Sequence, residues 1–191
     1  MSKKGSKVLG FLQRIGKSLM VPIAVMPALG LLLRLGDKDL LNIPWISAAG
    51  GAAFGDNMAM LFAVGIGFGL SDENNGVGGL AGLLGFLVMK NVATSFDPSI
   101  NMGAFGGVVA GVLYNKFKDI KVPQFLGFFG GKRFVPIITS AVCLILGVFF
   151  GYTWPTFQAG LDGFANIMVA AGAIGAGIYG ILNRLLIPIG L

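Results

Sequence analysis

The sequence contains no histidine, and its one cysteine, Cys143, stands inside the apolar run TSAVCLILGVFF. The first absence excludes a histidine metal ligand or phosphoacceptor from these residues. The second excludes an internal disulfide and any cysteine-cluster metal site. Charge is scarce as well: 12% of the 191 residues are charged, against roughly 25% in an ordinary soluble domain. Hydrocarbon and glycine fill the gap, with 55% hydrophobic residues and 32 glycines and a mean hydropathy of +0.83. The glycines follow no strict period and lie within runs of Val, Ile, Leu, Phe and Met, where small residues let transmembrane helices approach closely. The composition specifies an all-α integral membrane protein. No cofactor or metal is expected.

A bilayer core about 30 Å thick takes roughly 20 apolar residues per helix. Six segments qualify, at about 18–35, 54–70, 76–93, 102–115, 134–153 and 163–183, the third and fourth being short and glycine-rich. The expected architecture is a polytopic bundle of about five to six transmembrane helices. An amphipathic interfacial helix over residues 1–17 precedes it, because Val8, Leu12, Ile15 and Leu19 recur at helical spacing opposite a stripe of Lys7, Gly10, Arg14 and Lys17. A cleaved signal peptide also begins basic and continues apolar. Here no A-x-A-like site follows, and Pro22 and Pro27 interrupt the run.

A net charge of +6 would raise nucleic acid as a partner in a soluble protein, but these cations sit between apolar spans. With a cytoplasmic N-terminus and six crossings, the cytoplasmic side receives Lys3, Lys4, Lys7, Arg14, Lys17, Lys116, Lys118, Lys121, Lys132, Arg133 and Arg184. The other side receives Arg34, Lys38 and Lys90, so the split is eleven to three and the N-terminus is expected inside. One loop on the basic side dissents: SDENN, Ser71 to Asn75, is acidic.

Gly103, Gly107 and Gly111 share one helix face, as do Gly65 and Gly69, Gly78 and Gly82, and Gly172, Ala176 and Gly180. Such stripes serve a compact bundle or a dimer interface equally well. Pro22 and Pro27 are expected to bend the first span. Asp56 and Asn57 open the second, where helix capping is favoured over ion binding. The segment Lys116 to Pro136 carries five cations and one acid. It can anchor the protein to anionic lipid, at about 1 kcal/mol per cation, or meet an anionic partner, and charge alone leaves both open.

Several stretches carry a resemblance. LGFFGGKRFVPI, preceded by YNKFKDIKVPQF and followed by FGYTWPTFQ and GIYGILNRLLIPIGL, with GKSLMVPIAVMPALGLLLRLG upstream, resembles the membrane-embedded enzyme IIC component of bacterial phosphoenolpyruvate-dependent sugar phosphotransferase systems, in the glucose superfamily. LLLRLGDKDLLN, AGGAAF, INMGAFGGVVAG and LLIPIGL are closer to the N-acetylglucosamine-specific permeases than to the glucose ones. The resemblance implies a homodimeric permease of the bacterial cytoplasmic membrane. Its N-terminal helices build the dimer interface and scaffold, and a following half with two re-entrant hairpins holds most of the sugar site. It further implies an elevator-like movement of sugar and phosphorylation of its 6-hydroxyl by a cysteine-phosphorylated IIB domain, itself served by IIA.

Members of that family continue after IPIGL with a histidine of the sugar site and a TEP-type segment whose glutamate contacts sugar. The chain is therefore expected to supply residues 18–191 as the N-terminal half of an IIC domain, with no catalytic residue of its own. The phosphotransferase activity of the intact family would need the C-terminal half. The alternative is a truncated scaffold that dimerises, or complements a separate half, without transporting. By resemblance Arg184, with Asn183 beside it, donates hydrogen bonds to sugar hydroxyls, a role that the five fixed donors of a guanidinium suit. A snorkelling arginine at a helix end is the competing reading. Lys132 and Arg133, in GKRFVP, are expected to border the cytoplasmic exit or the IIB docking face.

Overall fold

The computed structural model describes residues 3–96 and 104–172, together with 175, 177 and 180. Among these the regular structure is helical. The first helix, α1 (Lys3–Leu35), passes through both Pro22 and Pro27. It runs without a break across residue 17, where the expected interfacial helix gives way to the first span. Gly16 does not interrupt it, and the Ser18 hydroxyl donates to the Arg14 carbonyl at 2.7 Å as an interior helical serine does.

Next come α2 (Pro44–Gly51) and a π-helical turn over Ala52–Asp56. Then follow α3 (Met58–Leu70), α4 (Gly76–Thr94) and α5 (Ala104–Phe117). Two 3-10 turns (Gln124–Phe129 and Gly131–Arg133) lead into α6 (Phe134–Ala170). The segment expected at 54–70 is therefore a helix pair, bent by 56° between Pro44–Gly55 and Met58–Leu70. Asn57 does occupy the N-cap of α3 but makes no side-chain cap. Its amide Nδ2 instead donates backward to the Ala52 carbonyl at 3.0 Å, satisfying an acceptor of the π turn.

The expected break between residues 153 and 163 is absent, because α6 is a single helix of 37 residues with Pro155 inside it. Pro155 removes one backbone rung. Side-chain bonds at helical spacing brace its surroundings: Thr153 Oγ1 donates to the Phe149 carbonyl at 3.0 Å and Trp154 Nε1 to Gln158 Oε1 at 2.9 Å. At 1.5 Å per residue α6 is about 55 Å long, well beyond a hydrocarbon core of about 30 Å. Helix α5, with 14 residues, rises only about 21 Å.

Helix α4 lies at the centre, against α3, α5 and α6, while α1 packs on the far side of α3. Small residues make this possible. A Cβ built on Gly67 would fall 2.5 Å from the Gly78 carbonyl oxygen, and one on Gly107 would overlap the Ala63 carbonyl. Three of the four glycine stripes are thus spent within the chain: Gly65 and Gly69 on α1, Gly78 and Gly82 on α3, Gly107 and Gly111 on α3 again. Pro22 helps here, because its ring fills the space a Gly65 side chain would need, 2.6 Å from that hypothetical Cβ. Gly103 and Ala176 lie outside the described residues. Tyr114, Met89, Val135 and Cys143 are fully buried, the last beside Met89 and Ala93.

Candidate functional site

The acidic turn between α3 and α4 organises one end of the bundle. Ser71 is buried; its hydroxyl donates to the Phe68 carbonyl at 2.6 Å and accepts from the Asn75 amide at 3.1 Å. Asn74 takes a positive φ of 44°, a conformation asparagine tolerates better than most residues. The Asn75 side chain then caps α4 by accepting from the Val77 amide at 3.0 Å. The turn is therefore built by local polar side chains, which leaves its two carboxylates to face outward.

Those carboxylates collect cations from three other parts of the chain. Arg14 of α1 donates to Asp72 Oδ1 at 2.7 Å and to the Leu70 carbonyl at 3.3 Å. Lys118, just past α5, lies 3.8 Å from Asp72 Oδ2 and 3.4 Å from Glu73 Oε1. Lys132, in the turn before α6, pairs with Glu73 Oε2. Tyr114 of α5, otherwise buried, donates its hydroxyl to Glu73 at 3.3 Å. Asn115 completes the junction from both sides: its Oδ1 accepts from the Asp72 amide at 2.8 Å and its Nδ2 donates to the Leu70 carbonyl at 2.9 Å. The Lys132 ammonium, followed by Lys118, holds the Glu73 carboxyl below the usual carboxylate range.

Of the residues singled out in the sequence, Lys132 belongs to this cluster. Arg133 does not: its guanidinium stacks over the Phe128 ring at 4.9 Å and donates to the Phe128 carbonyl at 3.4 Å. Asn183 and Arg184 lie outside the described residues. Sequence reasoning missed Arg14, Asp72, Glu73 and Lys118 as a group. The signal was present in the acidic SDENN turn on an otherwise basic side.

At the far end of α1, Arg34 makes a two-pronged pair with Asp39, both bonds 2.8 Å, and a third bond to Asp37 at 3.1 Å. The Arg34 guanidinium lowers the Asp39 carboxyl below its ordinary value. This clasp closes the LGDKD loop. A third region, between the start of α5 and the middle of α6, is a cavity of about 860 Å³ walled by Phe105, Phe150, Trp154 and Phe157. None of these regions assembles a nucleophile with a base, and among the described residues no group of three metal-binding side chains occurs. The geometry is that of a helix scaffold whose ends are fastened by ion pairs.

Residues 16–191 match the family described as phosphotransferase system, EIIC. Over 96% of its length the chain is 47% identical to the N-acetylglucosamine-specific EIICB component of the PTS system of Bacillus subtilis (strain 168), of which it covers 41%. It is 48% identical to the N-acetylglucosamine-specific EIICBA component of Escherichia coli (strain K12), covering 29% of that protein. Against the glucosamine-specific EIICBA component of Bacillus subtilis (strain 168) the identity is 44%, with 32% covered. The chain thus spans less than half the length of these relatives.

Proposed function

The chain belongs to the phosphotransferase system EIIC family, and from that premise we propose that it serves N-acetylglucosamine uptake coupled to phosphorylation. In this reading it supplies the helical scaffold of the permease. The observation that carries the sugar is the ranking of relatives: N-acetylglucosamine-specific proteins share 47–51% of its residues, a glucosamine-specific one 44% and a glucoside-specific one 37%.

The proposal extends to topology and partners. The end of the bundle holding Arg14, Lys118 and Lys132 is assigned to the cytoplasm, with the N-terminus, by the excess of cations. There the ion pairs would fix the loop before α6. Lys116, Lys121 and Arg133, which form no salt bridge among the described residues, would face the IIB and IIA phosphotransfer domains. Asn183 and Arg184 are assigned to the sugar on the strength of the family resemblance, and a homodimer on the same ground.

The test is phosphorylating uptake in cells lacking their own N-acetylglucosamine permease. The chain is joined in frame to the remaining segment of the Bacillus subtilis relative. Labelled N-acetylglucosamine should accumulate as its phosphate, and Arg184→Ala should abolish accumulation while leaving membrane expression intact. Because the joined segment holds most of the sugar site, the chain is joined in parallel to the remaining segment of the glucosamine-specific relative; better uptake by that second fusion would overturn the sugar assignment.

A further inference from the structure

A groove on the outer face of α1, α3 and α4 has a polar head and an apolar trough. The head, about 380 Å³, is bordered by Arg14, Lys17, Ser18, Asp72 and Asn74. The trough, about 370 Å³, is bordered by Val64, Gly65, Gly79, Leu80 and Leu83. Val21 and Phe68 border both, so the two cavities adjoin. The order along the helices is consistent with one channel. Arg14, Lys17, Ser18 and Val21 follow helical spacing down α1, Phe68 and Val64 down α3, and Gly76, Leu80 and Leu83 down α4 away from the turn. The polar head therefore sits at the end of the bundle, and the trough runs from it along α1, α3 and α4 towards their middles.

We propose that this groove binds one anionic diacyl phospholipid, its phosphate at Lys17 and Arg14 and an acyl chain along the trough. Charge and shape both commit the groove to that occupant. Asp72 borders the head and holds Arg14 at 2.7 Å, so Arg14 is partly neutralised. Lys17 forms no salt bridge among the described residues and supplies the surplus positive charge at the head. The buried Ser18 hydroxyl is already bonded to Arg14 and adds no charge. The trough is lined by aliphatic and aromatic carbon and glycine, which offers a hydrocarbon chain dispersion contacts and offers a free phosphate or a soluble anion nothing. A basic recess between transmembrane helices, open to an apolar trough, is the arrangement that retains acidic headgroups.

Native mass spectrometry of the detergent-solubilised 191-residue chain, titrated with dioleoylphosphatidylglycerol or dioleoylphosphatidylcholine, tests the site. The anionic lipid should bind at least about fivefold more tightly than the zwitterionic one, the factor that a single cation near a lipid surface supplies. Lys17→Gln should remove that preference, while Lys121→Gln, in the loop after α5, should leave it. Gly76→Phe adds a ring where a Cβ meets nothing within 4 Å, and it should weaken both lipids without displacing backbone. Equal affinity for the two lipids, an unchanged preference in Lys17→Gln, or equally tight binding of glycerol phosphate without acyl chains would each overturn the proposal.

Discussion

The seam where α3, α4 and α5 meet and the distal part of α6 use the same residue to opposite ends. In the seam, Gly67, Gly78, Gly82 and Gly107 lie where one backbone crosses another, and a methyl group at any of them would collide with a carbonyl. Along distal α6, Gly160 and Gly163 meet nothing within 4 Å, and the side chains around them stand clear, Ile167 at 69% and Val169 at 80% exposure. Spacing in the sequence does not separate the two cases. What separates them is whether a second helix of the same chain arrives at the glycine face. The seam is finished among the described residues, whereas distal α6 presents a surface that no described residue covers.

Substituting one residue type at both places breaks or sharpens the contrast. Gly107→Ala, forcing a Cβ onto the Ala63 carbonyl, should cost about 3 kcal/mol, the upper range of overpacking a well-filled core. It should register as loss of a monodisperse peak in detergent; an unaltered melting midpoint would mean that α3 and α5 separate readily. Thr139→Val probes the buried face of α6. The Thr139 hydroxyl is fully buried and is the one buried side-chain polar atom without a partner among the described residues. Removing it should stabilise the fold by about 1 kcal/mol, and destabilisation would point to a hydrogen bond the hydroxyl makes elsewhere. Gly160→Ala, with open space at its Cβ, should leave stability unchanged or raise it by up to about 1 kcal/mol, the helix-propensity difference. A loss in thermal denaturation would show that distal α6 is packed after all.

The sequence was most informative where one helix sufficed. The helical class, the centres of α3, α4 and α5, the first half of α6, and the small-residue faces all follow from composition and spacing, whereas the same signals divide α1 at its middle. It was least informative where distant segments meet. The ion cluster joins residues 14, 72, 73, 118 and 132, and only the fold brings them together. The continuity of α6 was hidden for a different reason. The apolar runs at 134–153 and 163–183 read as separate spans because the stretch between them, with Pro155, Gln158 and Asp162, is less apolar, yet α6 passes through it as one helix. Asn57 illustrates a third kind of failure, since its cap position was legible and the direction of its hydrogen bond was not.

The smallest expected effect concerns what joins the seam to the loops, and its dependence on salt and pH gives it a signature. Glu73 and Lys132 are both more than a third exposed, at 43% and 42%, so their attraction is screened by added salt, whose Debye length is about 3 Å at 1 M. Glu73→Gln should lower the melting midpoint slightly at pH 7 and low ionic strength, and the gap from the unsubstituted chain should close in 1 M salt. The carboxyl is held below its ordinary value of 4.5 by Lys132. Its contribution is therefore complete above that ordinary value and is lost as pH falls through the lower folded-state value. The gap should stay constant from pH 7 to about 5 and narrow only under stronger acid. If instead no gap exists at low salt, the turn is held by the uncharged bonds of Ser71, Asn75 and Asn115 alone, and the acidic residues on this basic side would need another explanation.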